Sequence, residues 1–164
     1  MHEVWVLNVH NGRAKLLPWI QIKKISDEIF INQAKYTREL IKKFGHEYAK
    51  LSKTPIATTI KLDKDEQGIN VDIKLYRSMI GSLLYLTASR PDIIFSVFLC
   101  ARFQSCPKES HLIAAKCIIR YLKGTIRMGL WYPKTGQFLM MSYADVDYAG
   151  CRVDGRALVV LVNF

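Results

Sequence analysis

Three stretches of helical periodicity between residues 73 and 124, separated by prolines, constrain this chain more than any other feature. Tyr76, Met79, Ile80, Leu83 and Leu84 recur at helical spacing and trace one apolar face. Arg90-Pro91-Asp92 interrupts it, because Pro91 disfavours helix at Arg90 and suits the first turn of a following helix. Ile93, Ile94, Val97, Phe98 and Ala101 line the second helix, which Cys106-Pro107 ends. A third runs from about Lys108, with Leu112, Ala115, Ile119 and Leu122 inward and Gly124 as a left-handed stop. Helices with one apolar face each must bury it together, so the pattern predicts a small bundle.

The flanks read differently. Asn11-Gly12 suits a tight hairpin turn. Ile20 to Ile22 and Ile29 to Ile31 read as paired short strands around a Ser26-Asp27-Glu28 turn. Asn32 then reads as the N-cap of a helix whose buried stripe is Leu40, Ile41 and Phe44 and whose end is Gly45, with Lys35, Arg38, Lys42 and Lys43 on the opposite face. Residues 46–72 carry Pro55, Asp63, Asp65, Glu66 and Gly68, which predicts an extended segment lying over a neighbour, or a linker. After Gly124 the period changes: Met128 to Tyr132 reads as a strand, Pro133 to Gly136 as a turn, and Phe138 to Tyr148 as a second strand completing a hairpin. The fold class expected is α+β, a small helical bundle flanked by short antiparallel strands.

Composition narrows the function classes. Half of the 164 residues are hydrophobic, which excludes disorder throughout. A net charge of +10 favours an anionic partner, nucleic acid or an acidic membrane. Cys100, Cys106, Cys117 and Cys151 are irregularly spaced without a C-x-x-C, which argues against zinc and for buried free thiols in a reducing compartment. Met1 to Gly12 shows no basic region followed by an apolar run, so no secretory signal is expected. The longest apolar candidate, Ile93 to Ala101, falls short of the roughly 20 residues of a membrane span. The expectation is an intracellular protein without membrane contact.

Two stretches could carry chemistry. Lys116, Arg120, Lys123 and Arg127 recur at spacings of four, three and four, which aligns the first three on one helix side with Arg127 just past its end. Such a row can neutralise successive phosphates and bind nucleic acid without reading its sequence, or it can be merely a solvated helix face. In Tyr143 to Tyr148, Asp145 and Asp147 lie two apart on a predicted strand, so they share a face roughly 7 Å apart. Two-metal phosphodiester chemistry needs more carboxylates than two, and residues 149–164 add only Asp154. No nucleophile elbow, P-loop or G-x-G-x-x-G occurs, and His2, His10, His46 and His111 are scattered.

Leu75 to Leu86 (LYRSMIGSLLYL) with Ser89-Arg90-Pro91-Asp92, Pro107 to His111 (PKESH), Arg120 to Thr125 (RYLKGT) with Gly129 to Pro133 (GLWYP), and Asp145 to Cys151 (DVDYAGC) resemble, in order and spacing, the C-terminal part of copia-type retrotransposon reverse transcriptases. Phe30 to Gln33, Lys35-Tyr36 and Thr54-Pro55 match upstream, so the resemblance covers roughly residues 20 to 152. It implies a divergent segment at 1–19, a thumb- and connection-like region at 20–126 that holds primer and template, and the start of an RNase H-like domain at 127–164. Its hairpin would be incomplete, and Asp145 would be the nuclease's first carboxylate, a Mg²⁺ ligand only in a complete domain.

Departures from the family pattern shape the functional expectation. No adjacent aspartate pair of the polymerase type occurs. Pro18-Trp19 stands where the family has Leu-Gly, and Ala144 where it has Ser; after Asp154 the family's Arg-Lys-Ser-Thr-Ser-Gly is replaced by Gly155 to Val160. The expectation is a remnant of a reverse transcriptase and RNase H polyprotein without activity or cofactor of its own. Its partners would be primer-template or hybrid nucleic acid, bound weakly, and the rest of the Pol polyprotein. The alternatives are a nucleic-acid-binding or protein-interaction module retained for a host role, and an enzyme completed in trans by a separate palm.

Overall fold

A computed structural model describes residues 7–10, 13–16, 19–25, 28–56 and 62–132. Strands β1 (Leu7–His10) and β2 (Arg13–Leu16) pair antiparallel with His10 opposite Arg13, so Asn11 and Gly12 alone join them. Strands β3 (Gln21–Ile25) and β4 (Glu28–Asn32) pair with Ile22 opposite Ile31. β5 (Gly129–Tyr132) adds to the other side of β4, Ile31 opposite Leu130 and Asn32 opposite Gly129, giving the order β3-β4-β5. The strand anticipated at 138–148 lies outside the described residues; the described partner of β5 comes from almost a hundred residues upstream. Gly129 permits that approach, because a Cβ there would overlap the Ile31 carbonyl oxygen and come within 2.8 Å of Asn32 Cβ.

Helix α1 (Ala34–Lys43) begins one residue later than anticipated. Gln33 is the cap, while the Asn32 side chain accepts the Ala34 N–H at 3.1 Å. Its end is a complete Schellman motif: Gly45 N–H donates to Lys42 O, His46 N–H donates to Ile41 O, and Gly45 has φ +68°. Helix α2 (Ile73–Leu86) is capped by Asp72, whose carboxylate accepts the Lys74 and Leu75 N–H groups at 2.8 and 3.3 Å. It buries Tyr76, Met79, Ile80, Leu83 and Leu86, with Leu84 at the rim.

A 3₁₀ turn, Pro91–Ile93, leads into α3 (Ile94–Ala101). The inward stripe is Ile93, Val97 and Cys100, joined by Ser96 and Leu99. Phe98, expected inside, is exposed: it lies five residues from Ile93, roughly 140° around the helix. Helix α4 (Glu109–Gly124) packs against α1, α2 and α3, and the fully buried Ala114 and Ala115 let its neighbours approach. Gly124 is its last residue, not a left-handed stop. The end is closed by Thr125, whose N–H donates to Leu122 O and whose hydroxyl donates to Tyr121 O. Cys100 and Cys117 are buried as expected, Cys106 is exposed in the turn before Pro107, and Cys151 lies outside the described residues.

Candidate nucleic-acid interface

On α4 the side chains of Lys116, Arg120 and Lys123 fall within roughly 60° of one another. All three are half-buried, while Arg127 is exposed in the turn between α4 and β5. Residues 46–56, part of the 46–72 stretch expected to lie extended over a neighbour or to act as a linker, cross this face as an irregular strap. Ser52 N–H donates to Arg120 O at 3.4 Å, and Ser52 Oγ and Cys117 Sγ are 3.4 Å apart. Lys123 Nζ donates to Ala49 O at 2.8 Å. Lys123 therefore holds the strap, whereas the charged ends of Lys116, Arg120 and Arg127 make no hydrogen bond or ion pair to the described residues. The strap adds Lys50 and Lys53, both exposed, on either side of Ser52. Sequence reasoning missed those two, because a lysine in irregular chain carries no periodic signal about which helix it will cross. Beyond the strap a shallow groove is lined by Lys123, Gly124, Thr125, Ile126, Arg127 and Met128.

The motifs beside this face meet in space and hold it in shape. Arg90 is 2% exposed and donates to both Asp92 carboxylate oxygens at 2.8 and 2.6 Å, and to Thr125 O and Oγ1 at 2.9 and 2.8 Å. Tyr121 O–H donates to the same carboxylate at 2.8 Å. Burial alone would raise the Asp92 pKa, but the Arg90 hydrogen bonds and charge and the Tyr121 hydroxyl outweigh it and hold it below 3.8. The Ser-Arg-Pro-Asp step thus ties the start of α3 to the end of α4. On its other side Ser89 Oγ donates to Gln33 Oε1 at 2.7 Å, which joins α1 to the same corner.

The Pro-Lys-Glu-Ser-His run anchors residues 62–71. His111 is fully buried, stacked on Phe103 with ring centroids 4.0 Å apart. Its Nδ1 accepts the Lys108 N–H at 2.9 Å, and its Nε2 lies 2.7 Å from Asp63 O. A carbonyl only accepts, so the pair of contacts assigns the neutral tautomer with the proton on Nε2. Ser110 Oγ donates to Asp65 Oδ2 and Lys108 Nζ to Gly68 O. His111 is therefore a packing residue.

Asp63, Asp65, Asp72 and Asp92 all serve such local bonds, and no three His, Cys, Asp or Glu side chains converge among the described residues. This part of the chain does not fit the Mg²⁺ of the complete family enzyme. Asp145 and Asp147 lie outside the described residues.

Comparison with known proteins fits this assembly of motifs. The chain is 34% identical over 135 residues, 82% of its length, to the retrovirus-related Pol polyprotein from transposon RE1 of Arabidopsis thaliana. It is 34% identical over 142 residues to the retrovirus-related Pol polyprotein from transposon TNT 1-94 of Nicotiana tabacum. This chain is related to the Pol polyproteins of copia-type transposons. The Pol-related chain spans only 9% and 10% of those two polyproteins. It also matches an uncharacterized mitochondrial protein of Arabidopsis thaliana, 32% identical over 147 residues and 60% of that protein. No family model and no solved structure matches. Many residues that carry the Pol resemblance, Gln33, Ser89, Arg90 and His111 among them, are buried and serve to join elements. No helix among the described residues is long and apolar enough to cross a membrane.

Proposed function

We propose that this chain is a nucleic-acid-holding segment of a transposon Pol protein, thumb- and connection-like, with no polymerase or RNase H activity of its own. The observation that carries the reading is the α4 face. Lys116 and Arg120 are half-buried on the face that the strap crosses, their charged ends make no hydrogen bond or ion pair to the described residues, and Arg127, Lys50 and Lys53 are exposed. Stems held by packing lose less freedom when a phosphate binds. Such a face recognises a polyanionic backbone rather than bases. Residues 127–164 would open an RNase H-like domain, with Asp145 as a vestigial first carboxylate and Mg²⁺ a cofactor only of the complete enzyme. The ancestral role would be RNA-directed DNA synthesis, with the rest of Pol as partner.

Affinity for duplex DNA measured against salt tests this. Each phosphate that the protein neutralises steepens the dependence of log K on log salt by roughly 0.9. The triple variant Lys116→Ala, Arg120→Ala, Arg127→Ala should therefore flatten the slope by ~2 to 3. An unchanged slope, or no binding at low salt, overturns the reading. Primer extension or hybrid cleavage by the purified chain would overturn the inactivity. The mitochondrial relative favours a second reading, in which such a segment is kept apart from a polyprotein as a basic module for a host role.

A further inference from the structure

Tyr48 is 98% exposed, the most solvent-facing among the described residues of the large side chains that normally seek cover. Its ring meets almost nothing of the fold, yet the backbone that presents it is fixed on both sides. Upstream stands the Schellman turn at Gly45, followed by Ala49 N–H donating to His46 O at 3.2 Å. Downstream, Lys123 Nζ holds Ala49 O, and Ser52 is bonded to Arg120 O. Along the same strap Lys50 and Lys53 are exposed, and Leu51 is 57% exposed where it crosses Gly124. Glu47 is the only carboxylate between residues 46 and 56. An aromatic platform on a pinned backbone, interleaved with cations and lying on a basic helix face, matches one polymer in particular.

We infer that Tyr48 is a base-stacking residue and that the strap makes the α4 face a site for single-stranded nucleic acid in preference to duplex. Phosphates of the strand lie on Lys50, Lys53, Lys116 and Arg120, and an unpaired base lies on the Tyr48 ring. A duplex offers the same phosphates but keeps its base faces stacked inside, so the ring adds nothing there. Stacking is sequence-tolerant because every base has a π-face. The fixed backbone means that little further ordering is needed when the base arrives. This inference rests on the proposed nucleic-acid reading and adds to it a strand preference and a residue outside the α4 row.

The test is fluorescence anisotropy with the full chain at low salt, using a labelled oligothymidylate of about 15 nucleotides, within the range of known single-strand site sizes, and a labelled duplex of equal length. Tyr48→Ala should weaken single-strand binding about thirtyfold, the middle of the range for losing one stacked base. Duplex binding should stay unchanged, and Tyr48→Phe should match the wild type. The ring is in solvent, so far-UV circular dichroism and the urea midpoint should not move. Equal single-strand binding by Tyr48→Ala and wild type overturns the stacking role, and if binding still falls in Lys116→Ala, Arg120→Ala, the proposed function survives alone. An equal loss on both nucleic acids also overturns it. Failure of the wild type to bind either one overturns both readings.

Discussion

Replacing Arg90 with methionine should destabilise the chain by about 3 kcal/mol, the low end of the range for removing one partner of a buried ion pair. The structure sets the figure. The guanidinium is 2% exposed and makes four hydrogen bonds, two to Asp92 and two to Thr125. Without it Asp92 keeps the Tyr121 hydroxyl and a backbone N–H, and the Thr125 carbonyl is left without its Arg90 donor. The Asp92 side chain is 27% exposed, so water reaches its carboxylate and recovers part of the loss, which keeps the estimate off the upper limit. The double variant Arg90→Met, Asp92→Leu removes both charges and should recover most of the stability, because an apolar pair of similar volume often replaces a buried ion pair at little cost. Urea unfolding followed by circular dichroism at pH 7, with both single variants and the double, measures the coupling. A loss under about 1 kcal/mol for Arg90→Met, a value typical of exposed pairs, would refute the claim that this corner locks α3 to α4.

Gly129→Ala should cost more than about 2 kcal/mol, since the new methyl meets backbone and β4 must shift; hydrogen exchange should show weakened protection confined first to β4 and β5, and a neutral effect would mean the register is wrong. Trp19 has φ +84°, a strained conformation for a bulky residue, at the place where the family has glycine. Trp19→Gly should therefore be more stable than Trp19→Ala by roughly 1 kcal/mol in urea unfolding, and the opposite order would sink this strain argument. The Asp92 carboxyl is held below 3.8 in the folded state, so its contribution is present above the unfolded value and disappears as pH falls through the folded one. Acid titration of the urea midpoint should show a loss below pH ~4 that is absent in Arg90→Met, Asp92→Leu; the same acid loss in that variant would contradict the assignment. Alkylation of the native chain with peptide mapping should mark Cys106 and spare Cys100, whose thiol burial pushes up to about 12; labelling of Cys100 at neutral pH would refute its enclosure.

The sequence by itself determined the helices, their punctuation and the family, because those signals are local. Apolar residues at helical intervals between Asp72 and Gly124, Pro91 and Pro107 at the breaks, and the left-handed Gly45 each act on the few residues around them. The hairpin of β3 and β4 was legible for the same reason. Tertiary structure alone decided what meets across distance. β5 pairs with β4, a partner ninety-seven positions away in the Asn32–Gly129 pair. Phe98 faces outward because the bundle chose the stripe of Ile93, Val97 and Cys100. Arg90 reads in sequence only as the residue that Pro91 keeps out of a helix, yet it is enclosed, since only the folded chain brings Thr125 and Tyr121 to it. The basic row was visible as spacing on one helix, yet the division of labour within it was not: Lys123 fastens the strap while Lys116 and Arg120 keep their charge available. Periodicity reports which side of an element prefers water, and only packing reports which neighbour takes the other side.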